Sequence, residues 1–227
     1  MAKHGNTKSL KRLNATARIA IAKKKNVWLI KPGVGPHKAS DSIALAVLLR
    51  EVLGIATRAK EAIKLCKEGR IKVDGRVVKN PKFPIGFMDV IQLSDNNTTY
   101  YMDLDSHGRL VPKREDRNYK LLKITGKRTI KGGRTQLALS DGRTIISDNK
   151  YNVGDSLKVS IPDNKILGHI PLKEGSKCII LAGKNAGVHC TLQSITPGSV
   201  EARAKAFVKT DSGEDIMTVL HYLYAIG

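Results

Sequence analysis

The stretch Thr57-Arg58-Ala59-Lys60-Glu61-Ala62-Ile63-Lys64-Leu65-Cys66-Lys67-Glu68-Gly69 runs directly into Arg70-Ile71-Lys72-Val73-Asp74-Gly75-Arg76-Val77-Val78. Thr57 can cap a helix on which Ala59, Ala62, Ile63 and Cys66 share one face. Lys60, Lys64 and Lys67 line the opposite face, and Gly69 ends the helix. Asp74-Gly75 is a pair suited to a tight turn, so Ile71–Val73 and Val77–Val78 read as the two arms of a hairpin. Upstream, Ser40, Asp41 and Ser42 offer N-caps to a second amphipathic helix. Its apolar positions Leu45, Leu48, Leu49, Val52 and Leu53 recur at i, i+3, i+4, i+7 and i+8, and it stops at Gly54. Downstream, Gly86-Phe87-Met88-Asp89 leads into a strand from Val90 to Leu93. Residues 41–95 are therefore expected to hold two helices and a small antiparallel sheet.

Beyond Tyr100 the pattern changes to short strands broken by Asp105–Gly108, Lys131-Gly132-Gly133, Asp141-Gly142, Gly154-Asp155 and Asp163-Asn164. Turns at that spacing predict an all-β module over 96–168, with a joint at Gly168–Pro171. In 169–227, Cys178–Leu181 is an apolar strand. The loop Gly183-Lys184-Asn185-Ala186-Gly187 connects it to a half-buried strand in which Val188, Cys190 and Leu192 alternate with polar residues. Residues 1–40 lack sustained periodicity and read as an arm, broken by Pro32, Gly33, Gly35 and Pro36. Trp28, the chain's one Trp, stands beside Lys23, Lys24 and Lys25 and is expected to staple that arm onto the folded module, with stacking or packing on RNA as the alternative.

Charge narrows the function. The 227 residues carry a formal net charge of +20, and residues 1–40 contribute ten basic side chains with no carboxylate. A block that basic repels itself and needs a polyanion to become compact. No apolar run reaches the length of a membrane span, and the N-terminus has no apolar secretory stretch, so the cytosol is the expected compartment. Cys66, Cys178 and Cys190 form no disulfide framework and no Cys-x-x-Cys zinc pair, and are expected as bland, buried thiols. The six histidines are scattered, without a paired acid or nucleophile at a telling spacing. No catalytic residue, metal or cofactor is expected.

Thr57–Ala62, Gly69–Gly75, Pro81 and Asp89-Val90-Ile91 closely resemble the S4-type RNA-binding module, whose two helices and hairpin present a basic face to structured RNA. Gly175–Ile195 resembles a KOW motif. The order of arm, module, β-rich middle and KOW motif is similar to one family, the S4e proteins of the archaeal and eukaryotic small ribosomal subunit. Ser9-Leu10-Lys11-Arg12-Leu13, Gly35-Pro36-His37-Lys38 and Phe83–Ile91 carry that resemblance locally, and the C-terminus favours an archaeal member. It implies a multi-module α+β fold with four parts: an rRNA-binding arm (1–40), the RNA-binding module (41–95), a central β-rich module (96–168) and an SH3-like KOW barrel (169–227). The implied function is structural: binding small-subunit rRNA beside neighbouring ribosomal proteins, without a membrane, a small-molecule substrate or self-association. An RNA-modifying enzyme and a KOW-bearing transcription or translation factor are the alternatives.

The candidate RNA contacts follow from charge and placement. In the arm they are Lys3, Lys8, Lys11, Arg12, Arg18, Lys23, Lys24, Lys25, Lys31 and Lys38. In the module they are Arg58, Lys60, Lys64, Lys67, Arg70, Lys72 and Arg76, with the helix start at Thr57 expected to offer free N–H groups to phosphate. Lys127, Arg128, Lys131 and Arg134 surround Gly132-Gly133 and would form a basic hairpin tip, and Lys184 and Asn185 stand in the Gly-flanked loop.

Overall fold

At the helix-to-hairpin junction, Asp74 and Gly75 both take the left-handed backbone conformation, with φ of 49° and 75°. Two such residues in succession match the twist of the strands they join, so the chain reverses within two residues. Asp74 Oδ1 accepts from Val90 N at 3.1 Å and Asp74 N donates to Val90 O at 2.8 Å, which ties the turn to the neighbouring strand. The structure is a computed structural model describing residues 9–94, 98–147, 151–199 and 203–227. It divides into two compact units, 1–103 with 109–116 and 104–108 with 117–227.

In chain order the first unit comprises β1 (Leu10–Lys11), β2 (Trp28–Leu29), β3 (Ile43–Ala44), α1 (Leu45–Val47, continuing as a π-helical turn over Leu48–Val52) and α2 (Ala59–Lys67). Then come β4 (Ile71–Val73), β5 (Arg76–Val77), β6 (Pro84–Ile85), β7 (Val90–Leu93), β8 (Thr98–Leu104) and β9 (Leu110–Arg114). The main sheet runs β5-β4-β7-β8-β9, and the pairs β1-β2 and β3-β6 are separate. Leu45, Leu48 and Leu49 are fully buried with Ala62 and Cys66 of α2, as the helical spacing predicts.

Two details differ from expectation. Ser40, Asp41 and Ser42 do not cap α1. Ile43 and Ala44 pair with Ile85 and Pro84 first, and the helix's leading N–H groups of Leu45 and Ala46 donate to Phe83 O and Pro81 O at 2.9 and 3.0 Å. A carbonyl loop from elsewhere in the chain thus replaces the side-chain cap. At α2 the N-cap is Arg58, and Thr57 donates rather than accepts. Its N and Oγ1 reach Glu61 Oε2 at 2.9 and 3.2 Å.

The second unit holds two five-stranded antiparallel sheets. One, ordered β12-β11-β10-β13-β14, is built from β10 (Tyr119–Thr129), β11 (Thr135–Leu139), β12 (Thr144–Ser147), β13 (Ser156–Ser160) and β14 (Ile166–Ile170). Gly168, His169 and Ile170 stand inside β14, so the chain leaves this sheet only at Pro171. The other, ordered β18-β17-β16-β15-β19, is built from β15 (Lys177–Ile180), β16 (His189–Thr196), β17 (Lys205–Thr210), β18 (Asp215–Val219) and β19 (Leu223–Ala225). Among the described residues β18 and β19 remain edge strands. Cys190 and Leu192 bury in its core as the alternation predicts, beside Cys178 and Val208, while Val188 is half-buried and precedes β16. The three cysteines are buried and free, and burial pushes Cys66 and Cys178 up to about 11 and Cys190 to about 12. The fold is α+β, with two helices and several antiparallel sheets.

Two polar side chains stitch these sheets together with three hydrogen bonds. Lys123, on β10, is 6% exposed, and its Nζ donates to His221 O at 2.8 Å and Leu223 O at 2.7 Å. Tyr224 Oη donates to Leu121 O at 2.6 Å. Burial lowers the Lys123 pKa to about 8 and raises that of Tyr224.

Candidate nucleic-acid interface

The helix face read from the sequence exists. Arg58, Lys60, Lys64, Lys67, Arg70, Lys72 and Arg76 are all exposed along α2 and the β4–β5 hairpin. Lys60, Ile63, Lys64, Lys67 and Glu68 border a shallow hollow of about 400 Å³. Not every cation there is uncommitted: Arg70 Nε pairs with Glu68 Oε2 at 2.7 Å, and Lys64 Nζ lies 3.8 Å from Glu68 Oε1. Such exposed pairs are weak, so a phosphate can displace them at little cost. The start of α2 is different from the expectation of vacant N–H groups. The Glu61 carboxylate accepts from Thr57 N and Arg58 N, and those bonds hold its pKa below the usual value. A negative charge already occupies that end of the helix.

From residue 9 onward the arm packs against the module, although its sequence lacks sustained periodicity. Ala15, Ile19 and Leu29 are buried, Ile19 bridges to Leu110, and Leu110 N donates to Arg18 O at 2.8 Å. Arg12 is fully buried: Nη2 lies 2.6 Å from Glu51 Oε1 and Nη1 donates to Ala22 O at 2.9 Å. This overturns Arg12 as a phosphate contact, because its guanidinium is spent on the protein's own carboxylate. Arg12 also draws the Glu51 pKa below its ordinary value, helped by Arg50. His37 Nε2 sits 2.9 Å from Asp89 Oδ1, while Asp89 Oδ2 accepts from Gly86 N at 2.8 Å, fastening the end of the arm to the module. Arg18 is half-buried and pairs with Asp41 at 3.1 Å. Lys11, Lys23, Lys24, Lys25 and Lys38 are exposed and Lys31 is half-buried, whereas Lys3 and Lys8 lie outside the described residues.

Folding brings Lys25 of the arm to a cleft of about 500 Å³ that it shares with Arg50, Glu51 and Arg58. Arg50 is a member that sequence reading missed, because it sits in the apolar run of the first helix. Lys79 and Lys82 were missed too, and are exposed beyond β5. Trp28 also departs from expectation. It is 57% exposed, and Leu29 supplies the buried staple instead.

In the second unit, Lys127, Arg128, Lys131 and Arg134 are exposed around the β10–β11 turn, with Lys127 Nζ donating to Tyr151 O at 3.3 Å. Gly132 and Gly133 have φ of 86° and 74° with open space beyond their α-carbons. In the 183–187 loop Lys184 is exposed and Asn185 half-buried. Gly187 is buried at φ +89°, and a β-carbon there would strike Asp105 O, so this loop docks on the chain's own 105–108 turn. Among the described residues no three His, Cys, Asp or Glu side chains converge as for a metal, and no helix is long and apolar enough to cross a membrane.

A helix-and-hairpin unit with a cationic exposed face defines an RNA-binding module, and residues 45–91 match the S4 domain. Residues 4–40 match the RS4NT (NUC023) domain and residues 96–166 match Ribosomal family S4e. The small ribosomal subunit protein eS4 of Methanothermobacter thermautotrophicus is 38% identical over 230 residues, covering 100% of this chain and 95% of that protein. Its counterpart from Staphylothermus marinus is 39% identical over 239 residues, with the same coverage. The crystal structure of the 30S ribosomal protein S4e from Thermoplasma acidophilum superimposes with a TM-score of 0.70 at 34% identity, covering 82% of this chain and 95% of that one. The chain belongs to the S4e family of ribosomal proteins.

Proposed function

We infer that this chain is a structural, non-catalytic component of the small ribosomal subunit that binds its rRNA; the relatives it matches are named small ribosomal subunit proteins. The observation that carries this reading is the end-to-end similarity to eS4 proteins, 38% over the whole chain. The exposed cations of α2 and β4–β5 support it, because Arg58, Lys60, Lys64, Lys67, Arg70, Lys72 and Arg76 outnumber Glu61 and Glu68 there. Binding then proceeds by neutralising phosphates and by shape recognition, in the cytoplasm and beside neighbouring small-subunit proteins. We further propose that the arm, the module, the central sheet and the C-terminal sheet, divided near residues 40, 95 and 168, share this work. The five-stranded order β18-β17-β16-β15-β19, with a 3₁₀ turn at Leu220–Tyr222 before the last strand, supports reading the C-terminal part as an SH3-like KOW barrel.

The test is the salt dependence of binding to small-subunit rRNA. Replacing Lys60, Lys64 and Lys67 by Gln should lower the slope of log affinity against log salt by roughly 0.7–0.9 per lost contact. Stability should stay within about 1 kcal/mol, since all three side chains are at the surface. A triple variant that keeps the wild-type slope removes this face from the interface.

A further inference from the structure

The first unit places an unusual surface next to the arm's lysines. β1 and β2 pair with Leu10 opposite Leu29 and Lys11 opposite Trp28. Side chains alternate across a strand, so the two pairs face opposite ways. Leu29 goes inward at 6% exposure, and the indole beside Lys11 stands outward at 57%. Next to these strands Leu13 and Val27 are each 66% exposed, and Lys23, Lys24 and Lys25 lie on the exposed turn leading into β2. The chain's single indole is thus displayed outward, amid apolar neighbours and four ammonium groups.

We propose that Trp28 is a stacking platform for an unpaired nucleobase of single-stranded RNA, with Lys11, Lys23, Lys24 and Lys25 holding the flanking phosphates. The inference rests on the rRNA-binding reading and adds to it a chemical class of contact and the residue that makes it. Charge complementarity selects the occupant. No carboxylate occurs in residues 1–40, and the nearby Glu51 and Asp41 are engaged by Arg12 and Arg18. A protein partner would have to desolvate four ammonium groups around an aromatic ring. An RNA strand instead supplies phosphates to the lysines and a π-face to the indole in one repeating unit.

Because Trp28 is the only Trp, its fluorescence reports on this position alone. Titrating the full chain with a single-stranded oligoribonucleotide should quench that emission, whereas inorganic polyphosphate of matched charge should bind without comparable quenching. Trp28→Ala should weaken oligoribonucleotide binding about 5- to 150-fold while leaving polyphosphate affinity, salt slope and melting temperature unchanged. Trp28→Phe should restore most of the loss. Equal quenching by both probes, or wild-type RNA affinity in Trp28→Ala, overturns the platform. RNA binding with a normal salt slope but silent Trp28 emission overturns the platform alone. Failure of the wild-type chain to bind any RNA overturns the platform and the rRNA reading together. If Trp28→Ala binds RNA normally but is lost from small subunits, the surface is a protein contact and the proposal is wrong.

Discussion

Arg12 and Lys123 are basic residues whose charge the fold keeps for itself. Arg12 to Ala or Met leaves Glu51 in a largely buried site with Arg50 as its remaining partner. Breaking a buried pair from one side costs roughly 3–5 kcal/mol, and we expect the lower end for Arg12→Met in denaturant titrations because Arg50 stays. Glu51 titrates below 4.5 in the folded chain. Its contribution is therefore full above the unfolded value and disappears as pH falls through the folded one, so Arg12→Met should blunt the loss of stability below pH 4.5. Lys123 gives the same slope from a different cause, because burial penalises its charged form. With a folded pKa near 8 against 10.5, the unfolded chain holds the extra proton between those values, and stability rises with pH across that window. The buried thiols work against this above pH 9, since they stay protonated when folded, so the comparison must be with Lys123→Met. The wild-type advantage over that variant should grow by up to about 3 kcal/mol between the two pKa values. A pH-independent difference would mean that the ammonium is solvated. Neither residue was legible in the sequence: Arg12 stands among surface cations, and the Lys120-Leu121-Leu122-Lys123 run hides a strand buried on both faces.

At the scale of elements, periodicity was informative wherever one face met one core. The helix 59–67, the Asp74-Gly75 hairpin and the alternation of β16 are where the pattern put them. What the pattern could not show were partners far along the chain. The carbonyls of Pro81 and Phe83 cap α1, and the 105–108 turn receives the 183–187 loop. That docking makes a clear prediction. Gly132 and Gly187 both have positive φ, but only Gly187 has backbone where a β-carbon would go. Gly132→Ala should cost about 1–2 kcal/mol, the ordinary penalty for an L-residue in that conformation. Gly187→Ala should cost at least about 3 kcal/mol, because strain and collision with Asp105 add. Similar melting temperatures for the two variants would show that the loop does not rest on that turn.

For the whole molecule, the +20 charge is spread over a chain whose most basic segment is folded from residue 9 onward. Composition alone pointed to an unstructured arm, since counting charges cannot reveal that one carboxylate, 39 positions away, neutralises Arg12. Limited trypsin digestion without RNA separates the two descriptions. Cleavage should occur at Lys23, Lys24 and Lys25, which are exposed, and be slow at Arg12, which is fully buried. Early cleavage after Arg12 would restore the picture of a loose arm.

The Lys123 contact has a consequence for how the protein is made. Its two acceptors, the carbonyls of His221 and Leu223, are synthesised about a hundred residues after the ammonium they receive. Until Leu223–Ala225 is in place, the Lys123 ammonium stays in water and the Cys178–Ile180 strand lacks one of its two neighbours. The sheet order β18-β17-β16-β15-β19 is therefore completed only by the residues made last among the described strands. A chain stopped before Leu223 should melt below the full chain, and an unchanged melting temperature would show that this strand adds nothing to the unit.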